Sequence, residues 1–241
     1  MDIRITDKPS EAEYYAAQHI PYIVHLHEGN WEERFPSGAF CVERLEDITA
    51  DYRDRVWRRA HGLPWKICET QRLTIREITV EDVPRLYELY ADSSVTRYME
   101  PLFEDIDRET EYTREYIRNI YGFYGYGMWV IVLKAIQKVI GRVGFELKED
   151  FEGLELGFML GKSFQHKGYA YEACRAAIKY GVEALGIYDY RALVAEDNSP
   201  SRRLCERLGF RQTGRVRAEG ADPSGSSVPR EYLEYRSFVE F

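Results

Sequence analysis

The stretch "GLELGFMLGKSFQHKGYAYEACRAAIKYGVEAL", residues 153–185, constrains the fold more than any other. Its second half repeats small and apolar residues at helical spacing: Ala170, Ala173, Cys174, Ala177, Ile178, Gly181, Val182 and Leu185. That i, i+3, i+4, i+7 stripe predicts an amphipathic helix packed on a core. The first half, residues 153–160, predicts a strand. The loop between them therefore delivers backbone N–H groups to a helix N-terminus, where aligned peptide dipoles favour an anion.

The loop admits three readings. The plainest is a β-α turn whose glycines relieve backbone strain. A triphosphate-binding loop is suggested by Gly161-Lys162-Ser163, but that motif needs a glycine at 156, where Leu156 stands in an apolar strand. The third reading is a Gln-x-x-Gly-x-Ala diphosphate cradle over Gln165, His166, Lys167, Gly168, Tyr169 and Ala170. In it Gly168 lets the backbone approach the ligand and Ala170 opens the helix without crowding.

Around this unit the chain alternates strand and helix patterns. Residues 71–78, 127–135, 138–147, 153–160 and 190–196 read as strands, as do two segments at 210–218 and 230–240. Residues 80–91, 104–124 and 200–209 read as helical. Three strands joined by short polar turns, 127–160, predict an antiparallel meander. The fold class is mixed α/β, with one sheet covered by helices on both faces. "GLPWKICE" (62–69) carries Gly62 and Pro64 and predicts a boundary near residue 65. Residues 1–65 then form a small α-β-β-α extension, with helices at 9–18, capped by Ser10, and at 47–60, and strands at 21–28 and 39–45. Residues 66–241 form the main domain. The extension would be marginal alone.

A net charge of −8 argues against a nucleic-acid surface. No apolar run is long enough to span a membrane, and the first residues lack the apolar core of a signal peptide. Four cysteines, Cys41, Cys68, Cys174 and Cys205, are widely spaced with no CxxC pair. These features predict a reduced, cytoplasmic protein without a metal. His25 and His27 share a strand face beside Glu28, but no third ligand follows at a fixed offset. The sequence leaves a homodimer open.

Four stretches in order, "TQRLTIREITVEDVPRLYEL", "LELGFML", "QHKGYAYEA" and "NSPSRRLCERLGF", resemble the GNAT acyltransferases. The likeness covers about residues 70–240 and is nearest the branch that acetylates ribosomal-protein N-termini. It implies acetyl-coenzyme A as co-substrate and a GNAT-like, mostly antiparallel sheet. It implies that N–H groups of residues 165–170 hold the pyrophosphate. It further implies that the end of the strand, Phe158, Met159 and Leu160, parts from its neighbour to hydrogen-bond the pantetheine arm, with Asn198 contacting that arm. The bland alternative makes Asn198 or Ser199 only a helix cap before Pro200.

Acetyl transfer to an amine needs a base, an oxyanion donor and a departing thiolate. Strand alternation puts Glu155, Gly157 and Met159 on one face, so Glu155 is the candidate general base or else a structural carboxylate. A backbone N–H near Met159 is the candidate oxyanion donor. The family's proton donor to sulfur is a tyrosine, and that position holds Cys205. Ser201, four residues earlier on the same helix face, is the substitute acid. Cys205 is alternatively a nucleophile or a buried thiol. The aromatic run "IYGFYGYGMW" (120–129) offers Tyr124, Tyr126 and Trp129 as acceptor-lining residues, against plain core packing. The acceptor is a small-molecule amine or a protein N-terminus. The alternative function is a non-catalytic coenzyme-A-binding module or sensor. "ITDKPSEAEYYAAQHIPYIVHLHEGN" resembles the trailing segment of HAD-type phosphatases, but the paired aspartates of that chemistry are absent, which argues against a phosphate-ester hydrolase.

Overall fold

The chain separates into two units, Met1–Trp65 and Lys66–Phe241, in a computed structural model that describes residues 2–148, 151–221 and 227–238. The first unit runs β1 (Arg4–Thr6), α1 (Pro9–Ala17), β2 (Tyr22–His25), β3 (Phe40–Val42) and α2 (Ala50–Ala60). Its three strands form a parallel sheet in the order β1-β2-β3. Strand β1 is absent from the sequence reading because its apolar Ile5 is exposed and its polar Thr6 is buried, the reverse of a core pattern. The helix starts also shift. Lys8 rather than Ser10 precedes α1. Helix α2 begins after Thr49, whose Oγ1 accepts from the Tyr52 amide at 3.1 Å, because residues 45–47 form a separate 3₁₀ turn. Ile3, Ile23, Val42 and Val56 make a small core, covered by Phe40, Ile48, Tyr52 and Trp57.

The second unit begins with a hairpin, β4 (Lys66–Glu69) and β5 (Leu73–Arg76). The predicted boundary segment thus breaks only at Gly62, which has φ +64°, and Pro64; its last residues are an edge strand. Helices α3 (Val83–Tyr90), α4 (Ser93–Thr96) and α5 (Ile106–Tyr116) follow. The helical region predicted over 104–124 is not continuous. After α5 it widens into a π-helical turn, Ile117–Tyr121, then closes as α6 (Gly122–Tyr124) at left-handed Gly125. The meander is β6 (Met128–Leu133), β7 (Lys138–Lys148) and β8 (Phe151–Leu160). Then come α7 (Tyr169–Leu185), β9 (Asp189–Val194), α8 (Ser199–Arg207), β10 (Arg211–Ala221) and β11 (Ser227–Phe238). The predicted last strand ends at 240, and its final two residues lie outside the described ones.

Eight strands form one sheet in the order β10-β11-β9-β8-β7-β6-β5-β4. All neighbours are antiparallel except β8 and β9, which α7 connects in parallel. A crossover helix is what a parallel pair requires. The central, mostly antiparallel sheet expected for the main domain is present in Lys66–Phe241, and the extension carries its own three-stranded sheet.

Helix α7 buries Ala173, Cys174, Ala177 and Gly181 of the predicted stripe, together with Tyr180. Ala170, Ile178, Val182 and Leu185 are half-buried. The Tyr180 ring meets Trp129 edge-on at 5.5 Å, and Trp129 meets Phe145 in the same way. These large rings supply much of the buried apolar surface on that face of the sheet. Strands β6 and β7 send alternate residues to the opposite face, where the candidate site lies.

Candidate active site

Strand β8 pairs with β9 only at Leu154↔Tyr190 and Glu155↔Arg191. Beyond Glu155 the two parallel strands part. A cleft of about 1650 Å³ opens where they separate. That exceeds the ~300–1,000 Å³ of an ordinary small-molecule pocket and suits a long ligand plus a second reactant. Phe158, Met159 and Leu160 from the parted strand line it, and so do Gln165, His166, Gly168, Tyr169 and Ala170 from the following loop.

The loop is built for close approach. His166 and Gly168 both adopt positive φ, +61° and +79°, and Gly168 immediately precedes the first turn of α7. Alternating left-handed residues turn successive N–H groups toward one side, which makes an anion-binding concavity. Lys167 differs from its neighbours. Its Nζ donates to the Ser163 carbonyl at 2.8 Å, and its side chain is not part of the cleft lining.

A remote anchor fixes this loop. Arg72, in the β4–β5 turn, donates from Nη1 to the Lys167 carbonyl at 3.0 Å and from Nε to Glu172 at 2.6 Å. Its guanidinium lies 4.5 Å from the Tyr169 ring centre. Glu172 also accepts from the Thr70 hydroxyl at 2.5 Å and the Arg72 amide at 3.0 Å. Burial alone would raise the Glu172 carboxyl, but these bonds hold it below its usual range. Sequence reasoning misses this anchor because its partners stand 100 residues apart and no local pattern joins them.

Asn198 and Ser201 line the cleft from the start of α8. Asn198, not Ser199, is the cap: its Oδ1 accepts from the Ser201 amide at 3.3 Å. The same side chain keeps its Nδ2 group as a donor. Cys205 is fully buried and does not line the cleft. Burial pushes its thiol up to about 12, so it remains protonated at neutral pH. Its burial away from the cleft argues against the nucleophile reading of Cys205 and suits a packing thiol.

Glu155 faces the cleft with its side chain 18% exposed. Its carboxylate accepts from Arg191 Nε at 2.9 Å. Burial raises the Glu155 pKa above the usual carboxylate value, while Lys148 and Arg191 pull it partly back. The net result is a carboxylate more basic than one in water.

The aromatic run lines the cleft through a different residue from those expected. Trp129 has no exposed surface and points to the α7 side of the sheet. Tyr124 and Tyr126 meet outside the cleft lining, their rings tilted by 42° with centres 5.8 Å apart. Met128, Tyr112 and Tyr116 occupy the wall instead. Alternation requires that Met128 and Trp129 face opposite ways. The sequence alone does not say which of the two faces the cleft.

Among the described residues, no group of three or more His, Cys, Asp or Glu is arranged to hold a metal ion, and no helix is long and apolar enough to cross a membrane. His27 lies 3.5 Å from Asp7, and its ring centre is 5.5 Å from that of His25.

A parted parallel strand pair beside a left-handed glycine and a long helix is the architecture expected of the acyltransferase reading, and residues 72–211 match the family model described as acetyltransferase (GNAT) domain. The chain belongs to this family and is an acyltransferase. Among individual relatives, it is 33% identical over 153 residues to the uncharacterized N-acetyltransferase p20 of Bacillus licheniformis, covering 61% of this chain and 84% of that one. In fold it is similar to a GNAT-family acetyltransferase of Bacillus anthracis, with TM-score 0.58, 22% identity, and coverage of 70% of this chain and 96% of that one. It is also similar to the ribosomal-protein-S5-alanine acetyltransferase of Vibrio fischeri, with TM-score 0.59, 15% identity, and coverage of 73% and 96%.

Proposed function

We propose that this chain transfers an acetyl group from acetyl-coenzyme A to a primary amine, on a protein N-terminus or a small molecule. The observation that carries the reading is the parting of β8 from β9 beside the Gly168 turn. An exposed strand edge offers backbone groups to an amide-bearing arm, and the adjoining helix N-terminus offers N–H groups to a diphosphate. The fold likeness to ribosomal-protein acetyltransferases supports a protein N-terminus as one acceptor class.

In this reading the N–H groups of residues 165–170 bind the diphosphate. The free edge of residues 158–160 and the Asn198 Nδ2 group orient the pantetheine arm. The bound thioester supplies the electrophilic carbonyl carbon. Glu155 takes the proton that the amine loses as the C–N bond forms, directly or through one water. An N–H near Met159 holds the carbonyl oxygen. As the C–S bond breaks, the Ser201 hydroxyl donates a hydrogen bond to the sulfur and relays it a proton from solvent. A thiol of pKa about 8.5 leaves with little help near neutral pH, so this step asks least of the protein. Every residue named belongs to Lys66–Phe241, and we assign residues 1–65 no part in the chemistry. Four unpaired thiols support a cytoplasmic setting.

The test is release of free thiol from acetyl-coenzyme A over a panel of peptides with free N-termini, polyamines, amine antibiotics and amino acids. Release with at least one acceptor class is expected. Tight binding of the thioester with no release from any acceptor would favour the sensor reading.

A further inference from the structure

We propose that Met128 sets the length of acyl chain the site accepts, its thioether forming the wall of a trough whose floor is Gly157. The inference rests on the thioester reading above. Met128, Gly144 and Gly157 stand in register across β6, β7 and β8. On the cleft face of β7 and β8, this pair of glycines lies between the row Arg142–Met159 and the row Glu146–Glu155. Gly144 is covered by the backbone of Gly127 and Met128, whereas Gly157 leaves a trough on the cleft face that only a side-chain end reaches. The Met128 side chain lies in it: a Cβ on Gly157 would sit 3.0 Å from Met128 Sδ and 3.3 Å from its Cε.

The trough lies where the acyl group belongs. Residues two apart on a strand are separated by about 6.5–7 Å. Gly157 is therefore one such step from Glu155, which faces the amine, and one step from Met159, beside the pantetheine edge. An acyl carbon between those two positions has Gly157 beneath it and Met128 alongside.

Met128 cannot withdraw by moving its backbone. Its N–H donates to the Tyr116 hydroxyl at 2.7 Å, and its carbonyl accepts from the Tyr121 hydroxyl at 2.6 Å. Tyr121 is itself fixed, being 1% exposed and accepting from the Ile78 amide at 3.3 Å. Beneath, the Gly127 carbonyl and Met128 Cα pack so closely on Gly144 that a Cβ there would lie 2.0 Å and 2.7 Å from them. Tyr116 ends α5 and Tyr121 ends the π-helical turn that follows, so one π turn separates the two hydroxyls; such π-bulges are common near functional sites. Only the thioether can rotate, so the wall restricts by volume.

The experiment measures binding by calorimetry for coenzyme A and its acetyl, propionyl and butyryl thioesters, alongside thiol release with each. It uses the full chain, Met128→Ala, Met128→Leu and Gly157→Ala. One methylene in a fitted pocket discriminates by about 10–200-fold. The wild type should therefore disfavour butyryl over acetyl by about tenfold or more in affinity. Met128→Ala should erase most of that gap, Met128→Leu should keep it, and Gly157→Ala, which fills the trough from its floor, should widen it. Equal affinity of the wild type for all three thioesters, or a gap unchanged in a folded Met128→Ala, overturns the role of Met128 while leaving acetyl transfer standing. If Met128→Ala does not fold, Gly157→Ala alone decides. A wild type that binds no coenzyme A species at millimolar concentration overturns the cofactor reading and this inference with it.

Discussion

Replacing Gly168 by alanine tests the cradle directly. Gly168 has φ +79°, and a Cβ there would meet only Arg72 Nη2, at 3.4 Å. That distance is at the near edge of ordinary van der Waals contact, so steric clash contributes little. The cost is conformational: an L-residue in the left-handed region loses about 1–2 kcal/mol relative to glycine. It can appear in either of two places. If the variant keeps the strained backbone, its stability falls by that amount and its affinity does not. If the free protein relaxes the turn, stability is preserved, and binding must restore the turn at a cost of about 5–30-fold in Kd. The two losses should therefore sum to about 1–2 kcal/mol. The assay is calorimetry with acetyl-coenzyme A alongside a thermal melt, where 1 kcal/mol moves Tm by about 2–4 °C at this chain length. Gly168→Asn should lose less, because asparagine tolerates this region. Unchanged stability and unchanged affinity in Gly168→Ala would refute the claim that this backbone geometry matters for the diphosphate.

Glu155→Gln should lower kcat by about 10²–10⁴-fold with little change in cofactor affinity, measured as thiol release and by calorimetry. The base must be ionised to act, and burial raises its pKa, so the wild-type rate should fall with acid at a pH above that of an ordinary carboxylate. That acid limb should vanish in the variant. Cys205→Ala should retain thiol release while lowering Tm by a few degrees, the cost of a small core cavity; a folded variant without turnover would restore the acyl-enzyme route.

The elements most legible in the sequence are those that carry their own period. The meander and α7 repeat apolar residues over many positions, and each is long enough for the pattern to stand out. Strand β1 hides because Ile5 is exposed and Thr6 buried, and β4 because it follows directly on the Gly62 and Pro64 break. Within the site, the Gly168 turn and the Glu155 face are local features and can be read from spacing. The anchor from Arg72 to Glu172 and Lys167 is not, because only the closed sheet brings Arg72 to the loop. The wall residue is missed by one position: "YGMW" announces an aromatic wall, yet the cleft side of the strand belongs to Met128. Asn198 serves as the helix cap where Ser199 also qualifies by residue type, a choice made by the backbone at 198.

The burial of Trp129 has a spectroscopic consequence. Of the four tryptophans, Trp31, Trp57 and Trp65 lie in Met1–Trp65, and Trp129 alone lies in Lys66–Phe241. It is wholly shielded from water between Phe145 and Tyr180, on the strand that also carries Met128. With the other three tryptophans changed to phenylalanine, its ultraviolet emission becomes a native, label-free optical gauge of the acyltransferase unit, blue while the sheet is intact and red once denaturant admits solvent.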